Sequence, residues 1–350
     1  MSTPHVIFQL ATAKTQEEVS ERWEQILAGV PELANKWYHH VLGSTEHISI
    51  EILWHDGQVR YYITCPERIA QGMYMLIAGV FPEALILAQT EDPLVALLDD
   101  QPSTKKYFCR MVPNRSSFEN FIVEFSVDPL AGFYAYIASL PPTATVALQM
   151  VLSPTLVTTT IKPATAEPHA PAQTASTKSF YITWRVGASL VEGDTYTNPL
   201  DHIPTTFNLF TQSNQSFFKK IHLGNQRRQL NDMLQRSANT LFAKHFSLKQ
   251  AAMVTHPPGL SMETIPNIAW GKRLAGEPPQ ALPVVYKGQD PSYRAGINPY
   301  ATTIFKNQPV VYGLSNEDRR RHMYIIGKTG TGKSTLLANM IINDLKAGKG

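Results

Sequence analysis

From His47 the chain alternates apolar and polar positions, with Ile48, Ile50 and Ile52 interleaved by Ser49 and Glu51. A period of two residues predicts a half-buried strand. Asp56-Gly57 is a hairpin signal, and Val59 to Thr64 reads as the return strand. Upstream the period lengthens. Val19, Trp23, Ile26 and Leu27 recur at helical spacing behind Thr15-Gln16-Glu17-Glu18, which has the form of a capping box, and Pro31 closes the helix. Downstream, Pro66 starts a helix to about Val80 and Ala84 to Ala88 reads as a strand. Lys106 to Val112 and Phe121 to Phe125 read as further strands. A helix capped by Asp128, with Pro129 at its first position, runs to about Leu140, and Thr145 to Leu152 is a last strand. Strands alternating with two helices predict an α+β sandwich of ferredoxin-like type over residues 1–152.

The pattern then lapses. Of the 26 residues from Ser153 to Lys178, 7 are Thr, 5 Ala and 4 Pro. So little apolar surface does not offset the entropy of ordering, and residues 153–178 read as a disordered linker. Strand character resumes from Phe180 to Val186. Thr206 to Ile221 and Gln226 to Phe246 read as helices, the latter with Leu230, Leu234, Leu241 and Phe242 as candidate core. This gives a second α+β segment, 179–255. Prolines and glycines recur over 256–309, an irregular tether with short strands such as Val284-Val285-Tyr286. No repeat of fixed period stands out, although the two α+β segments are candidates for distant copies.

Composition changes this picture little. The 350 residues suit two or three domains, and 43% hydrophobic content supplies sizeable cores. A net charge of +3 permits a nucleic-acid partner without requiring one. Two cysteines, Cys65 and Cys109, are too few for a disulfide framework and read as buried thiols of a cytoplasmic protein. The most apolar window, Gly72 to Ala88, is interrupted by Pro82 and Glu83, so no membrane span is expected. The 11 histidines show no metal-binding spacing, and no G-x-S-x-G nucleophile motif occurs.

The sharpest chemical signal is Gly327-Lys328-Thr329-Gly330-Thr331-Gly332-Lys333-Ser334, which fits the phosphate-binding pattern G-x-x-x-x-G-K-[ST]. Gly327, Gly330 and Gly332 admit backbone turns that a Cβ would block, aiming successive N–H groups at an anion. Lys333 supplies a cation for the β- and γ-phosphates, and Ser334 a hydroxyl for Mg²⁺. Thr335 follows at the start of the helix, whose dipole adds positive potential. Met323-Tyr324-Ile325-Ile326 has the composition of a buried parallel strand, while Leu337, Ile341 and Leu345 recur at helical spacing up to Lys346 and Gly348. Residues 310–350 are therefore expected to begin an α/β P-loop (RecA-like) domain that binds ATP and Mg²⁺, with Lys333 the single residue in the chain with a catalytic part.

Two basic clusters compete with solvated-surface explanations. Phe217-Phe218-Lys219-Lys220 with Arg227, Arg228 and Arg236 interleaves rings and cations, as a single-strand binder does, although a charged helix face over a buried aromatic is favoured. Arg319-Arg320-Arg321 precede the loop by a strand of about five residues, which places them ~16 Å from the phosphates. They suit a neighbouring subunit, another domain or DNA better than the nucleotide.

From Asp318 through His322, Met323-Tyr324-Ile325-Ile326 and the glycine loop to Thr335-Leu336-Leu337, the chain resembles the FtsK–HerA superfamily of P-loop ATPases. It resembles most the bacterial conjugative DNA-transfer ATPases, the coupling-protein branch of type IV secretion. Asp128-Pro129-Leu130, Phe246-Ser247-Leu248-Lys249 to His256-Pro257, and Ile265-Pro266-Asn267 to Leu282-Pro283 are similar more diffusely. The resemblance implies a homo-hexameric ring motor coupling ATP hydrolysis to DNA movement, with type IV secretion components as partners, in the cytoplasm or peripheral to the inner membrane through them. Its Walker B strand, pore loops and arginine finger are expected after Gly350. The 350 residues are thus expected to form its N-terminal portion, not to hydrolyse ATP alone, and to bind it weakly if at all. Two other readings stay open: a type IV secretion assembly ATPase for protein export, and a partner-docking adaptor with an unused P-loop.

Overall fold

The computed structural model describes residues 4–34, 47–98, 104–161, 173–191, 198–212, 216–221, 225–238, 243–271, 279–286, 296–305, 308–327 and 332–349. The chain divides into two units, Met1–Lys272 and Arg273–Gly350.

The hairpin read from Asp56-Gly57 forms as expected, with both residues in the left-handed region (φ 51° and 70°). It joins β2 (Ile48–His55) to β3 (Gln58–Pro66). Around it lie β1 (His5–Ala11), α1 (Val19–Ala34), α2 (Glu67–Val80) and β4 (Leu85–Ala88). These strands are ordered β4-β1-β3-β2, every pairing antiparallel. The same β-α-β-β-α-β succession then recurs. β5 (Thr104–Pro113) is followed by the short α3 (Arg115–Glu119) and α4 (Ala131–Ala138), then β6 (Thr145–Ile161), β7 (Gln173–Val191), α5 (Pro199–Thr206) and β8 (Phe218–Ile221). Its strands are ordered β6-β7-β5-β8, so within each half the fourth, first, third and second strands lie side by side. The halves join where β2 pairs antiparallel with β6. With β9 (Lys244–Ser247), which extends the ladder on β7, this makes one nine-stranded sheet. The repeat has no fixed sequence period because its second copy carries a much longer central hairpin.

That hairpin overturns the expected linker. Ser153 to Ile161 pair in register with Gln173 to Tyr181, and 162–172 lie outside the described residues. Thr155, Val157 and Thr159 are β-branched, and a cross-strand partner supplies the hydrogen bonds that composition alone does not reveal. Residues 1–152 are therefore not separated from 179–255, and one unit runs to Lys272.

One face of the sheet carries Ile48, Ile50, Ile52 and Trp54 of β2, Leu148 and Met150 of β6, and Ile182 and Trp184 of β7, all buried. It is covered by α1 (Trp23, Ile26, Leu27), α2 (Met73, Ile77), α4 (Phe133, Ile137) and α7 (Leu248–Thr255). The other face carries Leu53, Tyr62, Phe108 and Ala147 beneath a 3-10 turn at Pro93–Leu98 and α6 (Gln226–Leu234). Both faces are covered, so β2 is buried at seven of its eight positions despite its alternating sequence.

Other boundaries shift for local reasons. α1 begins at Val19 rather than at a box on Thr15, because Glu18 takes a positive φ of 52°, and Pro31 lies inside the helix. Asp128 caps a turn by accepting from Leu130 N, and α4 proper follows at Ala131. Phe121–Phe125 is not a strand: Phe121 makes a single bridge to Thr211. The helix expected over 206–221 is instead α5, begun by Asn198 and Pro199, then a 3-10 turn and β8. The helix expected over 226–246 ends at Leu234, before the left-handed Arg236 (φ 49°), and β9 follows; Leu241 and Phe242 lie outside the described residues. Much of the expected tether packs on the first unit: Thr12 Oγ1 donates to Pro258 O, and Gly271 N donates to Thr12 O.

A fragment ending at residue 152 loses β7 and α7. It thereby strands Trp23, whose Nε1 donates to Thr255 Oγ1, and Tyr61, whose hydroxyl donates to Thr255 O. The fragment is expected to lack cooperative unfolding by tryptophan fluorescence, whereas residues 1–272 unfold in one transition. A cooperative 1–152 fragment would contradict this.

In the second unit β10 (Val284–Tyr286), β11 (Ile297–Phe305) and β12 (Gln308–Ser315) form an antiparallel sheet ordered β10-β12-β11. A 3-10 turn at Asp318–Arg320 and the helix α8 (Lys333–Lys346) follow.

Candidate nucleotide-binding site

The glycine loop opens α8. Gly332, its N-cap, is left-handed at φ 86°, which a Cβ-free residue adopts without strain. As a glycine, Gly332 caps the helix with no side chain of its own, and the first turn of this 14-residue helix carries an exposed Ser334 and Thr335. The helix ladder begins with Leu336 N donating to Gly332 O at 2.9 Å. Lys333 reaches back over the loop, and its Nζ donates to Gly327 O at 2.7 Å. Gly327, Gly332, Lys333, Ser334 and Thr335 are thus placed together; Lys328, Thr329, Gly330 and Thr331 lie outside the described residues. These groups fit a polyphosphate: first-turn amides and an ammonium for the anion, and a hydroxyl for a divalent cation. Among the described residues no group of three or more His, Cys, Asp or Glu is placed to hold a metal by protein ligands alone.

Two expectations around the loop fail. Met323 to Ile326 is not a strand: Tyr324 is 89% and Ile326 82% exposed, and the run pairs with no strand among the described residues. A parallel strand needs partners on its edges and cover on its faces. On α8 only Met340 is buried, while Leu337, Ile341 and Leu345 are exposed. The arginine cluster is also not uniform. Arg319 donates through both terminal nitrogens to the two carboxylate oxygens of Asp344 on α8, whereas Arg320 and Arg321 stay exposed. Asn298 of β11 joins that pair, its Nδ2 donating to Asp344 Oδ1 and to Met340 O, each at 2.8 Å. Sequence reasoning missed Asn298 and Asp344, since their pairing across 46 residues leaves no local signal.

The stacking reading of the first basic cluster fails as well. Phe217 and Phe218 are 0% and 4% exposed and pack among Trp184, Phe207 and Phe210. Neither Phe217 nor Phe218 presents its ring at the surface for a base. Lys220 pairs with Asp201, Arg236 is buried in ion pairs, and Arg227 and Arg228 are exposed on α6. Cys65 and Cys109 are free and buried, and burial pushes both thiols up to about 12. They are protonated at neutral pH and poor nucleophiles.

A second polar site lies in the first unit, where His256 Nε2 faces Asp128 Oδ1 at 3.4 Å and Ser261 Oγ donates to Asp128 Oδ2 at 2.8 Å. Burial alone would lower His256. The Asp128 charge and hydrogen bond, the Pro257 carbonyl and Glu21 outweigh it, and the net direction is up from 6.5. Burial would raise Asp128, but His256, Ser261 and the backbone N–H of Leu130 together bring it below 3.8. Asp128 thus adds stability above its ordinary value that is lost as pH falls through its folded value. His256 adds stability below its ordinary value that is lost as pH rises through its folded value. Their contribution is greatest between 3.8 and 6.5. In Asp128→Asn, the imidazole NMR titration of His256 is expected to fall below 6.5, because burial remains and the compensating charge is gone. An unchanged titration would contradict the pairing.

Comparison with family models, with curated proteins and with solved structures finds no match to this chain. No described helix is long and apolar enough to cross a membrane.

Proposed function

We propose that this chain belongs to an ATP-driven DNA-translocating motor of conjugation or type IV secretion, and that residues 327–335 hold Mg-ATP. The observation that carries the nucleotide part is the left-handed Gly332 opening a 14-residue helix, with Lys333 bridging back to Gly327 O. In this reading bound phosphate takes the place of the Gly327 carbonyl as the partner of Lys333 Nζ. The α8 first-turn amides bind phosphate oxygens, and Ser334 Oγ supplies one oxygen to Mg²⁺. ATP supplies the phosphoryl group and Mg²⁺ neutralises its charge. The exposed Tyr324, Ile326, Leu337, Ile341 and Leu345 suit a P-loop sheet and helix that pack against further α/β elements. In the same reading each half of the first unit is a ferredoxin-like module.

The DNA part rests on the likeness of Asp318 to Leu337 to conjugative ATPases. It is tested by ATP turnover of the protein expressed from its native gene, with and without DNA. Turnover stimulated by DNA and lost in Lys333→Ala supports the reading. Turnover indifferent to DNA favours a protein-export assembly ATPase instead.

A further inference from the structure

We propose that Arg319, Asp344 and Asn298 form a clip that sets the geometry of the phosphate loop, and so its nucleotide affinity, from the far end of α8. This rests on the reading of residues 327–335 as a phosphate site. Among the described residues, the side-chain hydrogen bonds of the three run to one another and to Met340 O, and not to Gly327 or Gly332–Thr335. Asp344 follows Ser334 by ten residues, which along a helix is about 15 Å.

The clip ties together the two limbs of the loop. Arg319 lies in the 3-10 turn that leads into Met323–Ile326, and Asp344 lies on the last turn of the helix that leaves the loop. Their two-pronged ion pair spans 25 residues, with the whole glycine loop between them. Such a fork–fork contact fixes orientation as well as distance. Hydrogen bonds from Arg319 hold the Asp344 carboxyl below its ordinary value, so it is ionised at neutral pH.

Asn298 fastens this pair to the sheet. It is 2% exposed, and its amide nitrogen spans the Met340 carbonyl and Asp344 Oδ1. The hairpin is shaped to present it. The β11–β12 register shifts between Pro299 and Ala301, and a Cβ at Gly313 would lie 2.2 Å from Asn298 O. Asn343 Nδ2 adds a bond to Pro299 O at 3.0 Å. The position of α8 is therefore set mainly by polar contacts at its C-terminal half, since Met340 is its one buried residue. Releasing them frees both limbs of the loop, and a less ordered loop binds phosphate more weakly. Arg319, Asp344 and Asn298 are positioning residues, distinct from Lys333 and Ser334, which meet the nucleotide.

The test uses the 350-residue chain and titrates Mg-ATP by NMR, a method that reads weak affinities. Arg319→Ala, Asp344→Ala and Asn298→Ala are compared with Lys333→Ala and with the reciprocal pair Arg319→Asp/Asp344→Arg. The reciprocal pair restores the ion pair with its charges exchanged but not the Asn298 bond to it, since Asn298 Nδ2 stays on Met340 O. Each single clip variant is expected to raise Kd about tenfold, the scale of one charged hydrogen bond, and the reciprocal pair to recover at least half of that loss on a logarithmic scale. Hydrogen exchange across 324–336 without nucleotide is expected to speed up in the single variants and return in the pair. Wild-type affinity in the single variants, with binding still lost in Lys333→Ala, overturns the clip and leaves the phosphate site standing. Weakened binding without recovery in the pair also overturns it, as does weakened binding with unchanged exchange. Binding that survives Lys333→Ala removes the phosphate site, and the clip with it.

Discussion

Arg236→Ala is expected to destabilise the first unit by about 3–5 kcal/mol, the cost of leaving one member of a buried ion pair alone. Arg236 Nε donates to Glu51 Oε1 at 2.9 Å, with the side chains 5% and 0% exposed, and both its terminal nitrogens reach Asp92. Glu51 also accepts from Ser49, Thr64 and Gln149, and Gln149 Oε1 in turn accepts from Arg185. Glu51, Gln149, Arg185 and Arg110 form one cross-strand row through β2, β6, β7 and β5. The row therefore crosses the joint between the halves of the sheet. Burial and the neighbouring Arg110 bring Arg185 down to about 10, with Asp232 partly offsetting them. All five tryptophans precede residue 272, so urea unfolding followed by tryptophan fluorescence reads this unit alone. The double variant Glu51→Ala/Arg236→Ala is expected to cost less than the sum of the singles, because the fully buried Glu51 carboxylate is no longer left stranded, while the partly exposed Asp92 loses Arg236 in the double as in the single. Additive losses would show that the pair is not coupled.

Lys333→Ala is expected to remove most of the Mg-ATP affinity without moving that unfolding transition. An ammonium about 4 Å from phosphate at an effective dielectric near 20 contributes up to ~4 kcal/mol before solvation is counted. Isothermal titration should show affinity falling by roughly tenfold to a thousandfold. Lys333 is only half-buried and its Nζ donates to the loop's own Gly327 carbonyl at 2.7 Å, so the change falls on the candidate site and not on the core of the first unit. Equal affinity in the variant would take Lys333 out of the site.

Local chemistry was legible where neighbours in sequence are neighbours in space. Asp56-Gly57 announces its hairpin, Pro66 its helix, and Gly332 the left-handed start of α8, because each signal acts over a few residues. The long β6–β7 hairpin was hidden, since Thr155 and Ser179 stabilise each other only once paired across 24 positions. The early end of α6 was hidden too. Arg236 accepts a positive φ in order to reach Glu51, 185 residues away. In the candidate site Gly327, Gly332, Lys333, Ser334 and Thr335, which the structure places together, were legible from their spacing. The supporting residues were not: Asn298 and Asp344 are ordinary polar residues until β11 and α8 meet. The run Met323–Ile326 is apolar enough for a parallel strand, but periodicity does not supply the partners that a strand requires.

The most direct test is a backbone NMR map of Mg-ATP added to the 350-residue chain, repeated with Lys333→Ala. The account predicts shifts confined to the loop and the first turn of α8, foremost Gly327, Gly332, Lys333, Ser334 and Thr335, and their disappearance in the variant. Shifts centred on the first unit, or shifts at the loop that persist in Lys333→Ala, would contradict it.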